Sequence, residues 1–263
     1  MTRCLKRTAL SLVVFLFAET CISATYQIED RLHSDLGEIQ LIRTPYQDGS
    51  YGPPKTILLN GKAIFKAPDD EPYLALHGIY RLADGQAILV SQNCGGSGCR
   101  ISPLSFILLA KHAKPRVLTR GDFNSETNQI VATDKSGKVV VDLGYYRQQK
   151  KIAVLDSGRL SITLTDSSIR ELPDNQCKYL FGAVDVCTRD FNSSGKCVDY
   201  STADFGNGEF IGSNADVWTV RYVSHLPGFN RSGFIESCMS ACKSGAVESY
   251  EAFRSRACSL PPR

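Results

Sequence analysis

No stretch of this sequence holds the ~20 consecutive apolar residues that a membrane-spanning helix needs; the apolar run at residues 9–18 stops at ten. Charge of one sign is also scarce. A net charge of +3 over 263 residues offers no basic surface to nucleic acid and no field to an acidic membrane. Two of those three charges fall in residues 1–24, where Arg3, Lys6 and Arg7 are opposed only by Glu19. Paired C-x-x-C spacings are missing, and His33, His77, His112 and His225 lie far from any cysteine except Cys238. No metal set forms from such ligands. Catalytic signatures are equally thin. Gly95-Gly96-Ser97-Gly98 approaches the G-x-S-x-G elbow, but Cys99 stands where its last glycine belongs. Asp190, Asn192, Ser194 and Gly195 repeat the first half of a calcium loop, yet the twelfth position is Ser201 and not a bidentate glutamate. Asp122, Asn124 and Glu126 make a weaker match. With no telling pair of carboxylates, the reading implies no cofactor and leans away from an enzyme.

What is present begins with a leader. A basic stretch, the apolar run and Ile22-Ser23-Ala24 follow one another as in a secretory signal peptide. Cleavage after Ala24 is expected, giving a periplasmic or secreted product with no integral membrane segment. Glu19, two residues before Cys21, disfavours lipid attachment there. Removing the leader leaves Cys94, Cys99, Cys177, Cys187, Cys197, Cys238, Cys242 and Cys258. An even count in an exported chain predicts four disulfides. Sequence neighbours meet most easily, so Cys94–Cys99 and Cys187–Cys197 are the expected pairs. The remaining four cysteines leave three connectivities open.

Between residues 36 and 172, short runs of strand-favouring residues alternate with turn signals. They fall at 38–43, 56–59, 63–66, 73–81, 86–91, 105–110, 130–133, 138–143, 151–155 and 160–165. Asn60-Gly61 and Asp84-Gly85 supply the positive φ of two-residue hairpins, while Lys135-Ser136-Gly137 and Asp156-Ser157-Gly158 suit slightly longer ones. Hairpin tips near 60, 85, 113, 136 and 157 predict a meander. Propeller blades take about 40–50 residues, so this stretch makes only three; an open antiparallel sandwich or partial barrel fits better. Residues 106–109 and 139–141 are apolar on both faces and read as central strands. Arg147, Lys150 and Lys151 read as charges guarding a strand end.

After Pro173 the pattern changes, with six of the eight mature cysteines in the last 87 residues. Residues 217–223 alternate as a strand, with Trp218, Val220 and Tyr222 on one face. Ser232 is then placed to cap a helix carrying Phe234, Cys238 and Cys242 on one stripe, ended by Gly245. A second helical stretch carries Ala246, Tyr250, Phe253 and Ala257 on one stripe. The expected architecture is a mainly β domain at 25–174, followed at 175–263 by a small disulfide-stapled α+β cap. Asn192 and Asn230 head glycosylation sequons, meaningful only in a host that glycosylates exported proteins.

The candidate binding site is the loop formed by Cys94, Gly95, Gly96, Ser97, Gly98, Cys99 and Arg100. A glycine ring closed by a disulfide offers backbone N–H groups to an anion, and Arg100 adds a charge-assisted contact. Trp218 and the helical cap are the second candidate. Residues 58–65, 87–99 and 105–109, with their Asn60-Gly61 hairpin and Cys94 glycine loop, resemble a loosely defined group of uncharacterised bacterial periplasmic β-rich proteins. The resemblance implies an envelope binding protein whose partner is another protein, of the kind that neutralises secreted toxins or enzymes. It carries over no catalytic residue. An exported hydrolase with a site between the two regions and a structural envelope component are the alternatives.

Overall fold

The computed structural model describes residues 26–46, 48–94, 102–127, 129–189, 195–197 and 217–260, without the side chains of 217–219. The expected leader lies outside the described residues. Twelve strands follow in order: β1 (Gln27–Ser34), β2 (Gly37–Arg43), β3 (Thr56–Leu59), β4 (Lys62–Lys66), β5 (Tyr73–Leu82), β6 (Gly85–Asn93), β7 (Pro103–Leu109), β8 (Arg116–Asn124), β9 (Val131–Lys135), β10 (Lys138–Tyr146), β11 (Gln149–Asp156) and β12 (Arg159–Asp166). They form three open antiparallel sheets, β1–β4, β5–β8 and β9–β12, each with its strands in sequence order. Each sheet is thus a four-stranded meander. β1 and β8 add to the expected strands, while β7 and β10 are central as expected.

The turns explain the registers. Asn60 and Gly61 have φ of 50° and 75°, and Leu59 pairs with Lys62 around them, the type I′ geometry that matches strand twist. Ser136-Gly137 and Ser157-Gly158 do the same between Lys135 and Lys138 and between Asp156 and Arg159. These are two-residue turns, shorter than expected, because serine tolerates the left-handed position ahead of glycine. Gly85 corrects another expectation: it opens β6 opposite Leu82, and a Cβ there would strike the Leu109 carbonyl. Its glycine serves close approach, not the turn.

The chain divides into two compact units, Met1–Thr119 and Arg120–Arg263. In the first, Ile39, Leu41 and Ile57 of one sheet pack with Leu74, Ile88, Val90, Ile107 and Leu109 of the next. In the second, Val139, Val141, Leu143, Ala153 and Leu155 are buried at alternate positions of β10 and β11.

Four helices complete the second unit: α1 (Asp174–Cys187), α2 (Val217–Ser224), α3 (Arg231–Ser244) and α4 (Tyr250–Ala257). None of the described helices is long and apolar enough to cross a membrane. The expected strand at 217–223 is α2. Val220 and Val223 pack three residues apart into the helical core with Leu226 and Phe229, and this burial overrides β-branched propensity where the described residues offer no strand partner. α1 was not expected either, although Cys177, Leu180, Val184 and Cys187 form its buried stripe. α3 starts two residues earlier than predicted: the Asn230 side chain, not Ser232, accepts the Gly233 N–H at 3.2 Å. That places the sequon asparagine in a cap. Gly245 at φ 67° ends α3, and Ser249 caps α4.

Three disulfides staple this region: Cys177–Cys258, Cys187–Cys238 and Cys197–Cys242. The expected Cys187–Cys197 pair is thereby corrected. Cys187 ends α1 with its side chain buried against α3, so helix packing selected Cys238 over the nearer neighbour in sequence. Cys94 is disulfide-bonded as well; the Cys94–Cys99 pairing itself lies outside the described residues.

Candidate functional site

Of the predicted loop, only Cys94 is described, exposed just after β6. Gly95, Gly96, Ser97, Gly98, Cys99 and Arg100 lie outside the described residues, as do the side chain of Trp218 and most of the half calcium loop. The second acidic stretch faces bases of the chain itself: Asp122 is bridged to Arg120 at 2.9 Å, and Asn124 accepts from Lys151 at 2.6 Å. That pairing leads to a different site.

The β10–β11 hairpin closes on Tyr146 and Gln149, leaving Arg147 and Gln148 as its two-residue turn. Both have positive φ, 47° and 69°. Asparagine and glycine normally occupy such positions, and other residues there cost about 1–2 kcal/mol each. A bulge precedes the turn, where Gly144 at φ 75° approaches Thr127 and the register shifts between Asp142 and Tyr145. Strain of this kind persists only when the surroundings over-determine it. Here the segment after α2 supplies the restraint. His225 Nδ1 accepts the Arg147 N–H at 3.0 Å, the His225 carbonyl accepts the Gln148 N–H at 2.9 Å, and Gln148 Nε2 donates to the Phe229 carbonyl at 2.9 Å. Tyr146 stacks on the His225 ring at 5.6 Å, and the Arg147 guanidinium lies 5.4 Å from the centre of the Tyr146 ring.

Because Nδ1 accepts, neutral His225 carries its proton on Nε2. That nitrogen lies 3.8 Å from Glu126 Oε2, which also lies 3.6 Å from an Arg221 nitrogen. His225 is 2% exposed and Lys151 4%. Burial pushes the Glu126 carboxyl above the usual range, against the opposing pull of Arg221 and Lys151. It pushes the Lys151 amine down, against Glu126 and Asp122. A salt-bridged cluster in which Glu126 and Lys151 are both shifted toward their neutral forms is dominated there by desolvation. Lys151, expected as an edge charge, is thus a buried member of this cluster.

General acid–base chemistry needs a substrate beside the titrating atoms. Nδ1 of His225 is occupied by backbone, and neither His225 nor Glu126 is on the wall of the adjoining cavity. That cavity, about 270 Å³, opens beside the turn and is lined by Arg147, Gln149, Asp166, Arg170, Pro227 and Leu260 among others. The cluster meets it only through His225, which holds the turn that carries Arg147. Substituting Arg147→Gly relieves the left-handed strain and removes only an exposed guanidinium. The unfolding midpoint in urea is expected to hold or rise; a loss above about 1 kcal/mol would show that Arg147 is retained for stability.

No protein-family model, curated protein or solved structure matches the chain. The roles of these residues therefore rest on their geometry. Sequence reading missed the cluster because Glu126, Lys151, Arg221 and His225 share no motif and meet only on folding. One signal was available: Arg147-Gln148 between two strand patterns is a two-residue turn lacking the usual glycine. In the other unit, His77 Nε2 and the Ser91 hydroxyl lie 2.9 Å apart across β5 and β6, and partial desolvation lowers the pKa of the otherwise exposed His77.

Proposed function

We propose that this chain is an exported envelope binding protein that recognises another protein, in its more specific form neutralising a toxin or enzyme. The observation that carries this reading is the turn Arg147–Gln148, held in a strained conformation by His225 and Phe229 with a guanidinium stacked beside a cavity. A cation fixed in advance loses little entropy on binding, which is how recognition surfaces gain affinity. Three disulfides suggest an oxidising, extracytoplasmic compartment, which agrees with the leader expected at residues 1–24. Capture from envelope extract on the immobilised oxidised protein is expected to yield one stoichiometric partner. That partner is lost with Arg147→Gly and kept with Arg159→Ala, which removes another exposed charge, at the start of β12. A partner indifferent to both substitutions, or none, overturns the reading.

The second reading, an exported hydrolase, is favoured by the hydrogen-bonded Ser91–His77 pair alone. A nucleophile of this kind needs its base oriented by a third group and an oxyanion site. Among the described residues no partner is seen at His77 Nδ1. Hydrolysis of a model ester that vanishes with Ser91→Ala would promote this reading over the first.

A further inference from the structure

Eight arginines of this chain each face one of its own carboxylates: Arg31, Arg43, Arg81, Arg120, Arg189, Arg221, Arg254 and Arg256. Arg147 does not. Among the described residues its guanidinium contacts the Tyr146 ring and makes no ion pair, although its backbone N–H is held by His225 Nδ1 at 3.0 Å. From this contrast, and resting on the binding reading above, we infer that the cavity beside the turn takes a carboxylate of a partner polypeptide, with Arg147 as its cationic contact.

The rest of the wall defines what must accompany that carboxylate. Arg170 is a second arginine among the lining residues. Asp166 brings a negative charge, one of its oxygens accepting from Gln149 Nε2 at 2.8 Å. An isolated inorganic anion meets that charge with nothing to offer it. A peptide carboxylate comes with a neighbouring backbone N–H, which Asp166 can accept while the arginine takes the carboxylate. Ile169, Pro227 and Leu260 supply the apolar part of the lining, against which the side chain next to the carboxylate can pack. Volume limits the ligand further. At about 270 Å³ the cavity is smaller than the 300–1,000 Å³ typical of sites for whole cofactors or drug-sized ligands, and it suits one or two amino-acid residues. The shared chemistry is thus a carboxylate beside an amide N–H and an apolar side chain, whether from a chain terminus or from an aspartate or glutamate.

Arginine Nε–Hε NMR signals of the oxidised full chain read this directly. Three N-acetylated tripeptides ending in leucine serve as probes: one with a free C-terminal carboxylate, one amidated, and one amidated with glutamate before the leucine. The Arg147 signal is expected to shift and saturate at millimolar concentration with the first or the third, the one that binds identifying the source. The amidated neutral peptide is expected to leave it unmoved. In Arg147→Gly, perturbation of the Leu260 and Ser167 backbone signals by the carboxylate peptide should weaken at least tenfold while the unfolding midpoint is retained. Equal response to the amidated neutral peptide, unchanged binding in Arg147→Gly, or no response to any probe overturns the inference. A stoichiometric partner captured in an Arg147-dependent way despite such a result leaves the binding reading standing and removes only the carboxylate; failure of capture removes the binding reading itself.

Discussion

Replacing Cys177 and Cys258 together by alanine is expected to lower the stability of the second unit by about 4 kcal/mol, the largest single effect foreseen for this chain. The bridge joins the first turns of α1 to the residue after α4, across 81 residues. Cross-linking over that span removes unfolded-state entropy on a scale between about 3 kcal/mol for a 15-residue loop and about 4.7 for a 100-residue one. Native contacts already hold the same ends together: Leu172 N–H donates to the Cys258 carbonyl and Leu260 N–H to the Arg170 carbonyl, both at 2.9 Å. Those contacts keep the native geometry, so the loss appears as easier unfolding and not as a changed fold. Alanine is chosen because both sulfurs are buried and a serine hydroxyl would need a partner there. Urea unfolding followed through the single tryptophan at position 218 and by far-UV circular dichroism checks it. A midpoint within error of the parent would mean the unfolded chain is already restrained by its other bridges.

The β architecture was legible because its turns are chemical statements. Asn60-Gly61, Ser136-Gly137 and Ser157-Gly158 each carry a glycine where φ must be positive, and the chain reverses at each of them. The helical region was half legible. Phe234, Cys238 and Cys242 gave α3 by their spacing, whereas α2 hid behind valines and aromatics that alternate as in a strand. What decided α2 was the apolar core that Val220 and Val223 join, and that core exists only once α1 is in place. The disulfides follow the same rule. Proximity in sequence favoured Cys187–Cys197, but a cysteine on a buried helical stripe pairs with whatever the next helix brings opposite. The candidate site was least legible, since a charge cluster assembled from β8, the following loop, β11, α2 and the residue after it has no linear pattern.

Removing the Glu126 and Lys151 charges of this cluster tests whether it is kept for something other than stability. Glu126→Gln with Lys151→Met should raise stability by about 1–3 kcal/mol at pH 7, because neutral groups of similar volume avoid the desolvation that ionised ones suffer. The sign follows from the two shifts. A raised Glu126 pKa means the folded state holds that proton more tightly than the unfolded chain does. Its stabilisation is complete below the unfolded value of about 4.3 and is lost as pH rises through the folded one. Glutamine is uncharged throughout, so the advantage of Glu126→Gln is present at pH 7 and closes as pH falls toward about 4. Lys151 is lowered, so its charged form is disfavoured in the fold, and the advantage of Lys151→Met closes as pH rises toward about 10.4. Asn124 loses its lysine donor, a cost limited by its partial exposure to water. Stability curves of the parent and the single and double variants between pH 4 and 10 test both signs; variants less stable than the parent at pH 7 would show that attraction, not desolvation, governs the cluster. The same double variant should loosen the restraint on the turn, since His225 loses the carboxylate facing its Nε2. Faster amide exchange at Arg147 and weaker partner capture are therefore expected from the more stable protein, the trade expected where strain serves function.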